Sequence, residues 1–105
     1  MQHQTLDMRI RQAKLIEEFC RKHADATEPL DQWVRFIKAA QWKTPNELKA
    51  DYPSADFVGN GRWVFNIKGN HYRLITIVVF RYGVIDLRFI GTHDEYNKIK
   101  NIKEI

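Results

Sequence analysis

The chain has 105 residues, 44% of them apolar and 12% aromatic, and a formal charge of +4. That length supports one domain (residues 1–105) with a real core; it excludes a barrel enzyme, a doubly wound sheet and a disordered chain. The charge is uneven: residues 1–56 hold nine basic and nine acidic side chains, residues 57–105 eight and four.

A basic second half suits an anionic partner, or is chance clustering on a solvated surface. The single cysteine, Cys20, excludes a disulfide framework and a Cys-rich zinc site, and reads as a small core residue. The apolar run from Ile75 to Phe80, six residues including a threonine and preceded by Leu74, is far short of a bilayer span. Met1–Arg11 carries no apolar stretch of signal-peptide type. A soluble, cytoplasmic protein without membrane contact is expected.

In chain order, residues 6–23 read as a helix, with Ile10, Ala13, Ile16, Phe19, Cys20 and His23 at spacings of three and four. A polar break, Ala24-Asp25-Ala26-Thr27, follows, and Thr27 is the expected cap of a second helix over about 29–42. Leu30, Trp33, Val34, Ile37 and Ala40 form its stripe. Thr44-Pro45-Asn46-Glu47 starts a short helical turn that Pro53 ends, and residues 54–61 read as a loop.

The period then changes to two. Trp63, Phe65 and Ile67 alternate with Arg62, Val64 and Asn66, as in a strand. Lys68-Gly69-Asn70 is a hairpin connection, and His71–Phe80, apolar on both faces in its distal part, is an internal strand. After Arg81-Tyr82-Gly83, residues 84–90 form a third strand in which Ile85, Leu87 and Phe89 oppose Asp86 and Arg88. Thr92 caps a final helix beginning near His93, with Ile99 and Ile102 as apolar contacts. The order predicts an α+β fold: two N-terminal helices packed on a three- to four-stranded antiparallel sheet, then a short C-terminal helix.

No histidine pair has metal-ligand spacing, so no metal or other cofactor is expected. His3 and His23 read as incidental or structural, and His71 as a cross-hairpin partner. His93 follows a strand, and Tyr96 lies three residues on, near the same helical face. The two either transfer protons at the end of a basic sheet or are ordinary helix-start packing. Arg73, on a face with Ile75, Ile77 and Val79, needs a partner or projects into a cleft. Arg62, Lys68, Arg73 and Arg88 share the meander and can form a phosphate-binding cluster around one sheet edge. From the residues alone this is a small basic domain suited to RNA or DNA.

Three blocks carry a resemblance. They are Tyr52-Pro53-Ser54-Ala55-Asp56, then the run from Trp63 to Ile75 around Lys68-Gly69-Asn70-His71-Tyr72-Arg73, then Arg88-Phe89-Ile90-Gly91-Thr92-His93-Asp94-Glu95-Tyr96. Through them residues 50–101 resemble the HigB family of bacterial type II toxins, within the RelE-like group of RNA-cleaving toxins. The resemblance implies a RelE-like fold and a metal-independent endoribonuclease that cuts messenger RNA, commonly on the translating ribosome, through the RNA 2′-hydroxyl. It implies a helix-turn-helix, HigA-like antitoxin from an adjacent gene, with operator DNA reached only through that complex. Carried over by motif, Arg73, His93 and Tyr96 are the catalytic residues, with Lys68 the basic residue just before the motif's glycine; the basic meander itself offers Arg62, Lys68 and Arg88 as substrate-binding candidates. The family usually carries Asp after the tyrosine; here Asn97 offers hydrogen bonds without the charge. A non-enzymatic nucleic-acid-binding module and an antitoxin-binding protein with a decayed nuclease site are the rival readings.

Overall fold

The computed structural model describes residues 7–105, so His3 and the start of the expected first helix, at residue 6, lie outside the described residues. The first described element is not that helix. Arg9–Arg11 is a short strand, β1, and the helix (α1) spans only Lys14–Lys22. Gln12, at φ 65°, turns the chain between them, and Ile10 lies in register with Ile85 rather than on the helical stripe. A three-residue strand has too little alternation to be read locally; its pairing with a distant strand creates it.

A single 3₁₀ turn, Ala24–Ala26, leads directly into α2, Thr27–Ala39. Thr27 is therefore the first helical residue and not the cap: Ala26 occupies that position without a side-chain hydrogen bond, because the preceding turn already continues the helical backbone. Leu30, Trp33 and Ile37 bury one face of α2. Helix α3, Pro45–Asp51, starts as expected, with the Thr44 hydroxyl accepting from Glu47 N–H at 3.2 Å.

Four more strands follow: β2, Asp56–Gly59; β3, Arg62–Ile67; β4, Tyr72–Val79; and β5, Val84–Thr92. The sheet is five-stranded and mixed, in the order β1-β5-β4-β3-β2, which corrects the expected three- to four-stranded antiparallel sheet. Two edges account for the difference. β1 adds to β5 in parallel, and residues 56–59, read as loop, pair antiparallel with β3. β4 is central, as its two apolar faces predict.

Helices α1, α2 and α3 pack against one sheet face. Trp63, Phe65 and Ile67 of β3, Leu74 and Val78 of β4, and Ile85 and Leu87 of β5 join Leu30, Trp33 and Ile37 in one buried cluster. Burying apolar surface of this kind stabilises by about 25 cal/mol per Å². Phe89 does not share Leu87's face as expected. Ile75 pairs with Phe89 and Thr76 with Leu87, so Arg88 is an extra, bulged residue that reverses the alternation.

The last helix, α4, spans His93–Asn97. Ile99 and Ile102, expected on it, lie beyond its end, where the chain returns toward the β2–β3 turn: Asn60 Nδ2 donates to the Lys103 carbonyl at 2.9 Å. Among the described residues no helix is long and apolar enough to cross a membrane.

Candidate active site

The β3–β4 turn and the β5–α4 junction meet at one end of the sheet. Tyr72 pairs with Thr92 in the last step of the ladder, and His93 N–H donates to the His71 carbonyl at 3.2 Å just beyond it. A cleft of about 470 Å³ opens there, lined by Lys68, Gly69, Asn70 and His71 from the turn and by Thr92, His93 and Asp94 from the junction.

Each wall has a local cause. In the turn, His71 N–H closes on the Lys68 carbonyl at 3.1 Å. Lys68 and Gly69 both take positive φ, 54° and 65°, a conformation glycine adopts freely and lysine only at a cost of roughly 1–2 kcal/mol. In the junction, Thr92 Oγ1 accepts from Glu95 N–H at 3.1 Å while the Glu95 carboxylate accepts from Thr92 N–H at 2.8 Å. This reciprocal cap fixes a helix of only five residues and hence the positions of His93 and Tyr96. Gly91 is required here: a Cβ would drive into the Phe89 ring and to 2.9 Å from Glu95 Oε1, the capping carboxylate.

Arg73 pairs with Asn66 on one side and Gly91 on the other, on the face away from the core cluster. Its guanidinium carbon lies 4.7 Å from the centroid of the Tyr96 ring, and Nη2 donates to Asn70 Oδ1 at 3.3 Å. Its Nε is buried without a hydrogen-bond partner, and among the described residues no carboxylate pairs with it. A partly buried cation supported by a π face and one neutral acceptor retains its demand for an anion.

Lys68 sits differently. Its Nζ is 2.8 Å from Asp25 Oδ2, and Asp25 also accepts from the Tyr72 hydroxyl at 2.5 Å. The Lys68 bond, with the Tyr72 bond behind it, holds the Asp25 carboxyl below the ordinary carboxylate range. The hydrogen bond to Asp25 raises the Tyr72 phenol, with burial adding to it.

The structure thus brings Arg73 directly to Tyr96, and through Asn70 to the cleft that holds Lys68 and His93. Arg62 and Arg88, expected in the same basic cluster, do not line this cleft and make their polar contacts elsewhere. Arg62 starts β3, opposite Ile77, and donates to the carbonyls of Asn60 at 2.9 Å and Ile105 at 2.7 Å. Arg88 is the bulged residue and lies 3.4 Å from Asp86. Asn70, His71 and Asp25 are new to the site. Asn70 reads as a turn residue and His71 as a cross-hairpin partner at the start of the central strand, and Asp25 acts across 43 positions of sequence, a pairing no local pattern signals.

Comparison with known proteins decides the family. Residues 26–99 match the model of HigB_toxin, the RelE-like toxic component of a toxin-antitoxin system. The chain belongs to this family. It is 31% identical over 85 residues to the mRNA interferase HigB of Escherichia coli O6:H1 strain CFT073, covering 79% of this chain and 82% of the relative. It is 29% identical over 86 residues to the mRNA interferase toxin HigB of Escherichia coli K12, covering 80% and 83%. The mRNA interferase HigB of Shigella flexneri matches to the same extent. Within this HigB-family chain, all the cleft-lining residues from Lys68 to Asp94, together with Arg73 and Tyr96, fall inside the matched region, as does Asp25's partner Tyr72; Asp25 itself lies one residue before it.

Proposed function

We propose that this toxin is a metal-independent endoribonuclease that cleaves messenger RNA on the translating ribosome in the cytoplasm and so stops growth. The observation that carries the reading is Arg73: a guanidinium on an aromatic platform, with no counterion among the described residues, beside a cleft lined by two histidines and a lysine. The relatives named as mRNA interferases support the same substrate.

In this reading the RNA 2′-oxygen attacks the adjacent phosphorus, the bond to the 5′-oxygen breaks, and a 2′,3′-cyclic phosphate and a 5′-hydroxyl result. Arg73 holds the phosphate and stabilises charge developing on its oxygens, and Lys68 adds a second positive charge. His93 moves a proton, since imidazole is the side chain suited to that task near neutral pH. Tyr96 orients Arg73 through its ring. Arg62 and Arg88 are left with at most long-range attraction for RNA. A helix-turn-helix antitoxin from an adjacent gene neutralises the toxin, and operator DNA is reached through that complex.

The test is cleavage of messenger RNA, with and without ribosomes, by the purified wild type and by Arg73→Ala. Losing one such charge-stabilising donor costs about 10²–10³-fold in rate. A folded Arg73→Ala protein that cuts at the wild-type rate contradicts the reading.

A further inference from the structure

The cleft holds two imidazoles. His71 and His93 are joined by the backbone hydrogen bond just beyond the last ladder pair, and both rings line the same cavity with Lys68. Their hydrogen bonds select opposite tautomers of the neutral rings. His71 Nδ1 lies 3.0 Å from the Lys68 carbonyl oxygen. A carbonyl only accepts, so Nδ1 carries the proton and Nε2 of the neutral ring keeps its lone pair. His93 Nδ1 lies 3.1 Å from Asn97 Nδ2. An amide nitrogen only donates, so Nδ1 of the neutral His93 ring accepts, and Nε2 carries the hydrogen.

We propose that His71 is the general base and His93 the general acid of the cleavage step, an assignment that rests on the ribonuclease reading above. Neutral His71 takes the 2′-hydroxyl proton at Nε2 as the 2′-oxygen bonds to phosphorus. His93, in its imidazolium form, gives the Nε2 proton to the 5′-oxygen as the phosphorus–oxygen bond breaks. One proton is gained and one is lost, and the products are the cyclic phosphate and the 5′-hydroxyl. The Lys68 carbonyl steadies the His71 imidazolium that forms. Asn97 serves both forms of His93: its nitrogen donates to the neutral ring, as in the structure, and the amide turned over accepts from the imidazolium. A carboxylate at that position can only accept.

The test uses a messenger RNA that the wild type cuts, on ribosomes or free, in two versions: an ordinary linkage at the cleavage site, and one whose 5′-oxygen is replaced by sulfur. Sulfur leaves without being protonated, so it removes the need for an acid and leaves the need for a base. His71→Asn retains a donor for the Lys68 carbonyl, His71→Gln is the second variant should that one fold poorly, and His93→Gln removes the other ring. On the ordinary linkage each is expected to lower the single-turnover rate by about 10²–10⁴-fold. On the sulfur linkage His93→Gln is expected to regain nearly the wild-type rate, while the His71 variants stay slow. Any other pattern overturns the assignment: folded His71 variants at full rate, sulfur rescuing the His71 variants, or sulfur failing to rescue His93→Gln. A wild type that cuts neither version under either condition overturns the ribonuclease reading itself, a distinguishable failure.

Discussion

Arg73 and Tyr96 are residues of two different elements whose side chains form one unit: the guanidinium lies over the phenol ring, 4.7 Å from its centroid. Because β4 is central and α4 is capped at Thr92, this contact places a cation at the end of the sheet. The expected consequence separates ring from hydroxyl. Tyr96→Phe keeps the π face and is expected to cleave RNA at close to the wild-type rate. Tyr96→Leu loses a cation–π contact of about 0.5–2 kcal/mol, or about two- to thirtyfold in rate if all of it bears on the transition state. Single-turnover rates check this, and an equal loss in the two variants would assign the hydroxyl a chemical role.

The reciprocal hydrogen bonds between Thr92 and Glu95 give a second expectation. Thr92→Ala is expected to lower stability in a denaturant melt by about 1 kcal/mol, as losses of such caps do. The cleavage rate falls as well, since His93 and Tyr96 both stand on the capped turn. Thr92→Ser, which keeps the accepting oxygen, restores both quantities. Stability lost without loss of rate would detach α4 from the chemistry.

Asp25 makes stability depend on pH in a stated direction. Its folded-state pKa is below the ordinary value, through the bonds from Lys68 and then Tyr72. Its contribution is therefore present above the unfolded value and lost as pH falls through the folded one, which places the loss below about pH 4. Melts from pH 6 down to pH 2 are expected to show a shallower acid decline in Asp25→Asn than in the wild type. Parallel declines would mean that the Lys68–Asp25–Tyr72 contacts add nothing in solution.

Chelation is expected to leave cleavage intact. Among the described residues no group of three or more His, Cys, Asp or Glu side chains comes together as a metal site, and the proposed mechanism gives the charge-stabilising work to Arg73 and Lys68. Cleavage of ribosome-free RNA, or of ribosome-bound RNA with the ribosomal magnesium kept in place, checks this. Activity that EDTA stops and a divalent ion restores would contradict the mechanism.

What could be read in the sequence was local. The change of period after Gly61, the two apolar faces of β4 and the cap at Thr92 are short-range patterns, and each element stands where they put it. β1 exists only because β5, more than seventy positions away, offers a free edge, and the three residues Arg9–Arg11 carry no alternation long enough to read. The bulge at Arg88 turned Phe89 to the other face, because one extra residue in a ladder leaves no mark in composition. The site followed the same division. Arg73, His93 and Tyr96 stood out by motif, and the first and last prove to be in contact. Shared membership in a meander, however, did not bring Arg62 and Arg88 to them. Asp25, His71 and Asn70 owe their positions to turn geometry and to contacts over long sequence separations, which only the folded chain supplies.

The central claim is cleavage through the RNA 2′-hydroxyl, and the ends of the cut RNA test it most directly. Mass spectrometry of fragments from wild-type cleavage is expected to find a 2′,3′-cyclic phosphate, or the phosphate from its opening, on the upstream piece and a 5′-hydroxyl on the downstream piece. A single 2′-deoxy nucleotide at the cut site is expected to abolish that cleavage. A 3′-hydroxyl facing a 5′-phosphate, with the deoxy substrate cut equally well, would contradict the account.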